Sequence, residues 1–418
     1  MPLEPNRVAY SPIIERPPIK WPNGARVALW IAPNVEHYEY EPEFDGQRDP
    51  WPRMPYPDVQ QYSYRDYGNR VGFWRMLEVL DKHNIRCCVS LNVAVLEHYP
   101  EIKDAMVERN WDFMSHGIYN TRYLNPMSEE QEREFYVDCI ETLRRETGKQ
   151  LKGMLGPAIS GTEATPDLMA EAGLIYHTDW MHDDQPVPIK VKSGKLISVP
   201  YSIELNDAPV YRHHYEGDYF AEMCKAQFDQ LYKEGAESGR VMCIALHPYL
   251  TGQPHRVKYL DEVLSYIMSH EGVWQTTADD IAELCAYREM LEREAIRMSV
   301  AGSRGALCDQ LDGIVARMEA ELARKDFQAY AHSDTDFHRA FFAFCGNRLV
   351  TSAFDMAEAR IATVRTALTS PYVERRDASF FEHCQIVDNL RQGDIDTALA
   401  LLADHIDRTR VVAVARVS

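Results

Sequence analysis

The first regular patterning in the chain is Arg26-Val27-Ala28-Leu29-Trp30-Ile31-Ala32, a near-continuous apolar run of the kind a strand covered on both faces requires. It runs out in Asn34-Val35-Glu36-His37. Helical spacing follows at Val71, Trp74, Leu77 and Leu80, and then a second apolar run, Cys87-Cys88-Val89-Ser90-Leu91-Asn92. A helix over residues 99–109 leads to the short β-like run Trp111-Asp112-Phe113 and on into Met114-Ser115-His116-Gly117-Ile118-Tyr119-Asn120. Ser128 and Gln131 have the spacing of a capping box, which starts a charged amphipathic helix over 128–147. The alternation continues with Gly153-Met154-Leu155, a helix over 166–172, Leu174-Ile175-Tyr176-His177, Leu196-Ile197-Ser198-Val199-Pro200 and a helix over 219–233. It ends with Val241 to Leu246, a helix over 258–269 and Val273-Trp274-Gln275-Thr276. Strand and helix units repeating at this length predict an α/β fold, a parallel (β/α) barrel.

Two stretches break the rhythm. The first 22 residues are proline-rich and read as an extended arm, while residues 38–67, dense in Tyr, Pro, Asp and Arg, are too long for a passive connection and read as a loop folded over the site mouth. After Thr277 the strand signals stop and helical patterns rich in Ala, Leu, Glu and Arg run to the end. Gly346-Asn347 and Gly393-Asp394 fit helix C-termini there, with Asp394 free to cap the next helix. The chain is therefore divided into a barrel over 1–285 and an all-α domain over 286–418.

A formal charge of -19 argues against a nucleic-acid partner, whose phosphates demand basic side chains. No stretch is long and apolar enough to span a bilayer, and residues 1–7 lack the apolar core of an export signal, so the expected location is cytoplasmic, with no membrane partner. The nine cysteines are scattered without a C-x-x-C pair and fit buried reduced thiols.

Parallel barrels build their sites where the loops after the strands converge. Polar residues at those strand ends are Glu36, His37, Asn92, His116, Asn120, Asp179, Asp183, Asp184, Asp207 and His247. Singly each has a bland reading: His247 as a core histidine bonded to a carbonyl, Asp183-Asp184 as a turn cap. Together they suit metal binding or proton transfer in hydrolysis.

Residues 20–285 resemble the polysaccharide deacetylase (NodB-homology) superfamily, in the branch that includes deacetylase-type allantoinases and cyclic imide hydrolases. The resemblance is carried by Asn34-Val35-Glu36-His37, Ser115-His116-Gly117, Asp179-Trp180 with Asp183-Asp184-Gln185-Pro186, and Val199-Pro200-Tyr201 with Glu204-Leu205-Asn206-Asp207. Its most specific part is Leu246-His247-Pro248 with Gly252-Gln253-Pro254-His255-Arg256 and Val273-Trp274. Sugar deacetylases of that superfamily carry an Asp-Asp pair where this chain has Glu36-His37, and a second histidine where it has Asn120. The resemblance then implies hydrolysis of carbon-nitrogen bonds in a small cyclic amide, imide or ureide. Glu36, or a metal held through His37 and His116, activates water, and His247 is the acid; Asn120, Asp183, Asp184 and Asp207 are substrate-binding candidates, with Asp183, Asp184 or Asp207 either tuning His247 or binding the substrate's N–H groups. Carbohydrate N-deacetylation and a non-catalytic, ligand-binding regulator remain as alternatives.

In the second domain Asp334 and His338 stand at i and i+4 on one helix face, and Glu382-His383 and Asp404-His405 follow. From residue 286 on, Tyr287-Arg288-Glu289 with Leu291-Glu292, Asp334 to His338, Gly346-Asn347, Glu382-His383 and Gly393-Asp394 through His405 resemble the FadR-type C-terminal ligand-binding domain of GntR-family regulators. The resemblance implies an antiparallel helix bundle in which Asp334, His338, His383 and His405 hold a divalent ion, zinc foremost, that contacts a small carboxylate effector. It also implies a homo-oligomer.

Overall fold

The computed structural model describes residues 7–8, 10, 12–16, 19, 21–42, 57–354 and 373–411. The chain divides into a unit of residues 25–236 and 240–282 and another of residues 1–24, 237–239 and 283–418.

The first unit is a curled sheet. Its strands among the described residues are β1 (Val27–Val35), β2 (Cys88–Leu91), β3 (Asp112–Ser115), β4 (Gly153–Met154), β5 (Tyr176–His177), β6 (Val187–Ile189), β7 (Leu196–Ser198), β8 (Arg240–Leu246) and β9 (Val273–Thr276). They run in the order β6-β7-β5-β4-β3-β2-β1-β8, with β9 also on β1. All nine residues of β1 are buried, because helices cover the outside and side chains fill the inside. Every pairing is parallel except β6 with β7, so the sheet is mixed where an all-parallel barrel is expected. The ladder also stops at β8: backbone of irregular segments takes over, with Val241 N donating to the Asp184 carbonyl (2.8 Å) and Ala245 N to that of Leu205 (2.9 Å).

Local chemistry explains the helices that matter for the site. Ser128 and Gln131 form the expected reciprocal capping box before Glu129–Thr147, and Gly148 ends that helix in the left-handed region at φ 72°. Residues 59–67 are not loop but helix, Val59–Tyr67, started by Asp58 accepting from Gln61 N; residues 43–56 of the expected loop lie outside the described residues. Gly68–Gly72 then makes one π-helical turn before the helix Phe73–Lys82. In that helix Phe73, Met76, Leu77 and Leu80, spaced i, i+3, i+4 and i+7, form the buried stripe, while Trp74 beside it and Val71 in the π turn, both expected in the core, face outward. The strand β6 and the short helix Asp207–Arg212, capped by Asn206, are additions to the expected elements.

The second unit is helical: residues 283–324 of the helix Ala278–Arg324, which departs from helical angles at Ser303, then Phe327–Ala343, Val373–Gln392 and Ile395–Val411. Leu311, Met318, Phe337, Phe341, Ile386 and Leu402 lie at its core. Gly346 and Gly393 both take positive φ, and Asp394 caps the last helix by accepting from Thr397 N at 3.1 Å. No helix among the described residues is long and apolar enough to cross a membrane.

The π turn packs backbone to backbone on the loop after β8. A Cβ at Gly72 would stand 2.0 Å from the Pro248 carbonyl oxygen, and one at Gly68 2.8 Å from Tyr249 N. Gly72→Ala is therefore expected to cost about 1–3 kcal/mol as overpacking, read as a lower urea midpoint of unfolding.

Candidate active site and metal centre

Register assembles the site. Val35 pairs with Leu91 and Leu91 with Ser115, so the next residues, Glu36, Asn92 and His116, leave the sheet at one level; Pro33 pairs with Leu246, which brings His247 out beside them. Asn92 fixes two of these ends, accepting from His37 N (2.9 Å) and donating to the His116 carbonyl.

The Glu36 carboxylate is the centre. Its Oε1 lies 3.4 Å from His116 Nε2 and 3.5 Å from His247 Nε2, with all three side chains almost fully buried. Leu155's carbonyl, which can only accept, is 3.0 Å from His116 Nδ1, and Asp207 Oδ1 is 2.6 Å from His247 Nδ1. Both imidazoles are thus held through Nδ1–H and turn Nε2 toward Glu36. Burial alone would push the Glu36 carboxyl up, but the charge of His247 and hydrogen bonds from His116 and His247 hold it well below the usual carboxylate range. Burial alone would push His247 down; the charges of Glu36 and Asp207 outweigh it and raise His247 above the ordinary histidine value. The pair rests as carboxylate and imidazolium, a base and an acid on one oxygen.

Around this pair stand the expected Asn120 and others the sequence did not announce. The Tyr38 hydroxyl donates to Glu36 Oε2 at 2.9 Å, and Asn120 Nδ2 donates to Tyr38 at 2.5 Å. Arg65 lies over the Tyr38 ring, 4.6 Å from its centroid. Asn69, inside the π turn, donates to the Glu36 carbonyl at 2.8 Å, and Tyr249 packs edge-on to His247. Tyr38 was detectable in principle, since i+2 from Glu36 is the same side of an extended segment. Arg65 carried no local signal.

Other expected site residues lie elsewhere. His37 turns from the rim: its ring stacks on His98 at 4.4 Å and its Nδ1 is 3.2 Å from the Tyr99 hydroxyl. Burial and His98 lower its pKa to about 4. Asp207 is not turned to a substrate; it stands behind His247, accepting from the His247 ring, from His247 N and from Thr251. Asp183 closes a turn with Gln185 N (2.9 Å), and Asp184 is bonded at the start of β8. His247 follows the end of that strand, roughly 20 Å away at ~3.3 Å per residue, so neither aspartate reaches the rim.

A metal ion in the barrel would need at least three convergent donors. The residues present do not supply them: His116 and His247 both turn Nε2 to Glu36 Oε1, yet among the described residues no three metal-capable donor atoms of the barrel lie within 4.8 Å of one another, Asn120 stands in the second histidine's place and His37 is engaged with His98 and Tyr99. Among the described residues, the group of metal-capable side chains that does converge is Asp334, His338, His383 and His405, whose donor atoms all lie within 4.8 Å of one another. They sit on three helices, Phe327–Ala343, Val373–Gln392 and Ile395–Val411, and all are buried. Glu292 Oε2 is 2.5 Å from His338 Nδ1, and Glu382 Oε2 is 2.8 Å from His405 Nδ1. Carboxylates at Nδ1 fix the tautomer and leave the two Nε2 atoms facing each other at 3.2 Å, a separation that needs a cation or a proton between the lone pairs. His383 Nε2 lies 3.5 Å from Asp334 Oδ1. Three imidazoles and one carboxylate fit a divalent ion.

Comparison with known proteins finds two families along the chain. Residues 62–177 match the family model of polysaccharide deacetylase and residues 283–408 that of the FCD domain. A Schizosaccharomyces pombe protein assigned to the polysaccharide deacetylases is 30% identical over 295 residues, covering 63% of this chain and 91% of the relative. The peptidoglycan deacetylase of Helicobacter pylori is 23% identical over 251 residues, 52% of this chain and 84% of its own. Among solved structures, a Pseudomonas aeruginosa protein assigned to the polysaccharide deacetylases superposes with TM-score 0.57 at 29% identity, over 63% of this chain and 92% of that one. An allantoinase superposes with TM-score 0.58 at 27% identity, over 68% of this chain and 97% of its own.

Outer carboxylates of this type set ligand orientation and basicity. Glu292→Gln and Glu382→Gln are each expected to weaken metal affinity about 10–100-fold, measured by chelator competition on the full-length chain.

Proposed function

The chain belongs to the polysaccharide deacetylase family, and from that premise we propose that its barrel hydrolyses a carbon-nitrogen bond in a small cyclic amide, imide or ureide. The observation that carries the reading is the Glu36–His247 pair, a buried carboxylate and imidazolium standing where the donor set for a metal is broken at Asn120 and His37. The likeness to the allantoinase, whose namesake substrate is a cyclic ureide, supports the same class.

Glu36 takes a proton from water as its oxygen adds to the ring carbonyl. His247, its charge supported by Asp207 through Nδ1, gives its Nε2 proton to the departing nitrogen, so the C–O bond forms as the C–N bond breaks. The proton on Glu36 then returns to His247, whose Nε2 faces the same oxygen. His116 orients that oxygen, and Tyr38 occupies the other one. In the helical unit we propose a divalent ion, zinc foremost, held by Asp334, His338, His383 and His405, and a small carboxylate as effector.

Glu36→Gln and His247→Ala are each expected to lower kcat about 10²–10⁴-fold against a panel of cyclic imides, lactams and ureides. Turnover confined to N-acetylated glucosamine oligomers would instead return the carbohydrate reading. Catalysis needs Glu36 ionised and His247 protonated. Activity is therefore retained through neutrality and lost as pH rises through the elevated His247 pKa, an alkaline limb above the ordinary histidine value. Asp207→Asn removes a charge that favours the imidazolium and should move that limb to lower pH in the kcat/KM profile.

A further inference from the structure

Resting on the hydrolytic reading above, we propose that Asn120 Oδ1 is the acceptor for a substrate N–H beside the scissile carbonyl, so that the site selects rings whose nitrogen carries a hydrogen. The polarity of the hydrogen-bond chain leads there. An ionised Glu36 can only accept, so the Tyr38 hydroxyl, 2.9 Å from Oε2, spends its one proton on the carboxylate. The Tyr38 oxygen must then accept from Asn120, 2.5 Å away, and only Nδ2 can donate. Reversing the amide would oppose two acceptors, so the orientation follows from the network.

That leaves Oδ1. It is buried and has no hydrogen-bond partner among the described residues, in a residue 8% exposed. Its backbone is pinned as well, with Asn120 N donating to the His37 carbonyl at 3.0 Å. A buried amide oxygen left unpaired is a standing cost to the fold unless a ligand supplies the donor. Oδ1 belongs to the same amide as the Nδ2 that lies 2.5 Å from the Tyr38 hydroxyl, which itself lies 2.9 Å from the reacting carboxylate, so Oδ1 is linked to Glu36 through two hydrogen bonds. A substrate placing its carbonyl carbon near Glu36 has the adjacent ring nitrogen as the group within reach. A site that pairs with an N–H discriminates strongly against the analogue lacking it, because its own buried acceptor stays unpaired.

The test is a pair of rings differing at nitrogen, succinimide and N-methylsuccinimide, and in parallel a cyclic ureide and its N-methyl derivative, assayed on the full-length chain. The expected result is a kcat/KM preference of about 10²-fold or more for the N–H member, reduced to a few-fold in Asn120→Ala. Tyr38→Phe, which frees the amide to turn over, should narrow the preference too. Comparable turnover of both members by the parent chain overturns the role of Asn120 while leaving the hydrolytic reading standing, as does an unchanged ratio in a folded Asn120→Ala. If the parent opens neither member nor any ring in the wider panel, the hydrolytic reading falls and this inference with it.

Discussion

A buried carboxylate that must stay ionised organises the barrel. Glu36 follows a strand buried along its whole length, where a bare negative charge is strongly disfavoured, and its neighbours are those that make the charge tolerable. His116 and His247 face one oxygen and Tyr38 donates to the other. Asp207 in turn supports the imidazolium, and Asn69 ties the Glu36 backbone to the π turn. The glycines at 68 and 72 then let that turn lie on the 248–249 backbone, so the base and the acid are fixed relative to each other by packing as well as by charge. Removing any one of these partners leaves a charge or an acceptor exposed to its neighbours without compensation, which is why the site reads as a single network.

Both units use histidine in the same way and reach opposite results. In each, an acceptor behind Nδ1 fixes the tautomer and aims Nε2 inward: Leu155 and Asp207 in the barrel, Glu292 and Glu382 in the helical unit. In the barrel the Nε2 atoms point at a carboxylate oxygen already in place, which gives proton-transfer chemistry. In the helical unit they point at each other with a third imidazole and Asp334 nearby, which gives a coordination shell. What lies at the point of convergence decides the chemistry, while the histidine geometry is shared.

Much of this was legible in the chain itself. Glu36, His116 and His247 stand directly after apolar runs, so parallel pairing had to bring them to one rim. Asp334 and His338 at i and i+4 had to share a helix face. His37 misled because adjacency to Glu36 says nothing about which way a side chain turns once the strand has ended: successive residues point apart, and His37 finds a stacking partner in His98 instead. Asp183 and Asp184 misled because they follow a strand in sequence while the intervening chain carries them to the start of β8, the far end of the sheet from His247.

The sequence by itself determined the strand and helix alternation, the change to an all-helical second half and the residues at the strand ends. These depend on periodicity and on residue type, which are local. Only the tertiary structure decided that Asp207 supports His247, that Tyr38 and Asn120 complete the Glu36 network and that Arg65 lies over it. Each depends on long-range contacts between residues 27 to 82 positions apart, whose meeting follows from sheet register and from how the connecting segments pack. The hydrogen-bond polarity that leaves Asn120 Oδ1 unpaired is set by the ionisation of Glu36, and that ionisation exists only once His116 and His247 have been brought against it.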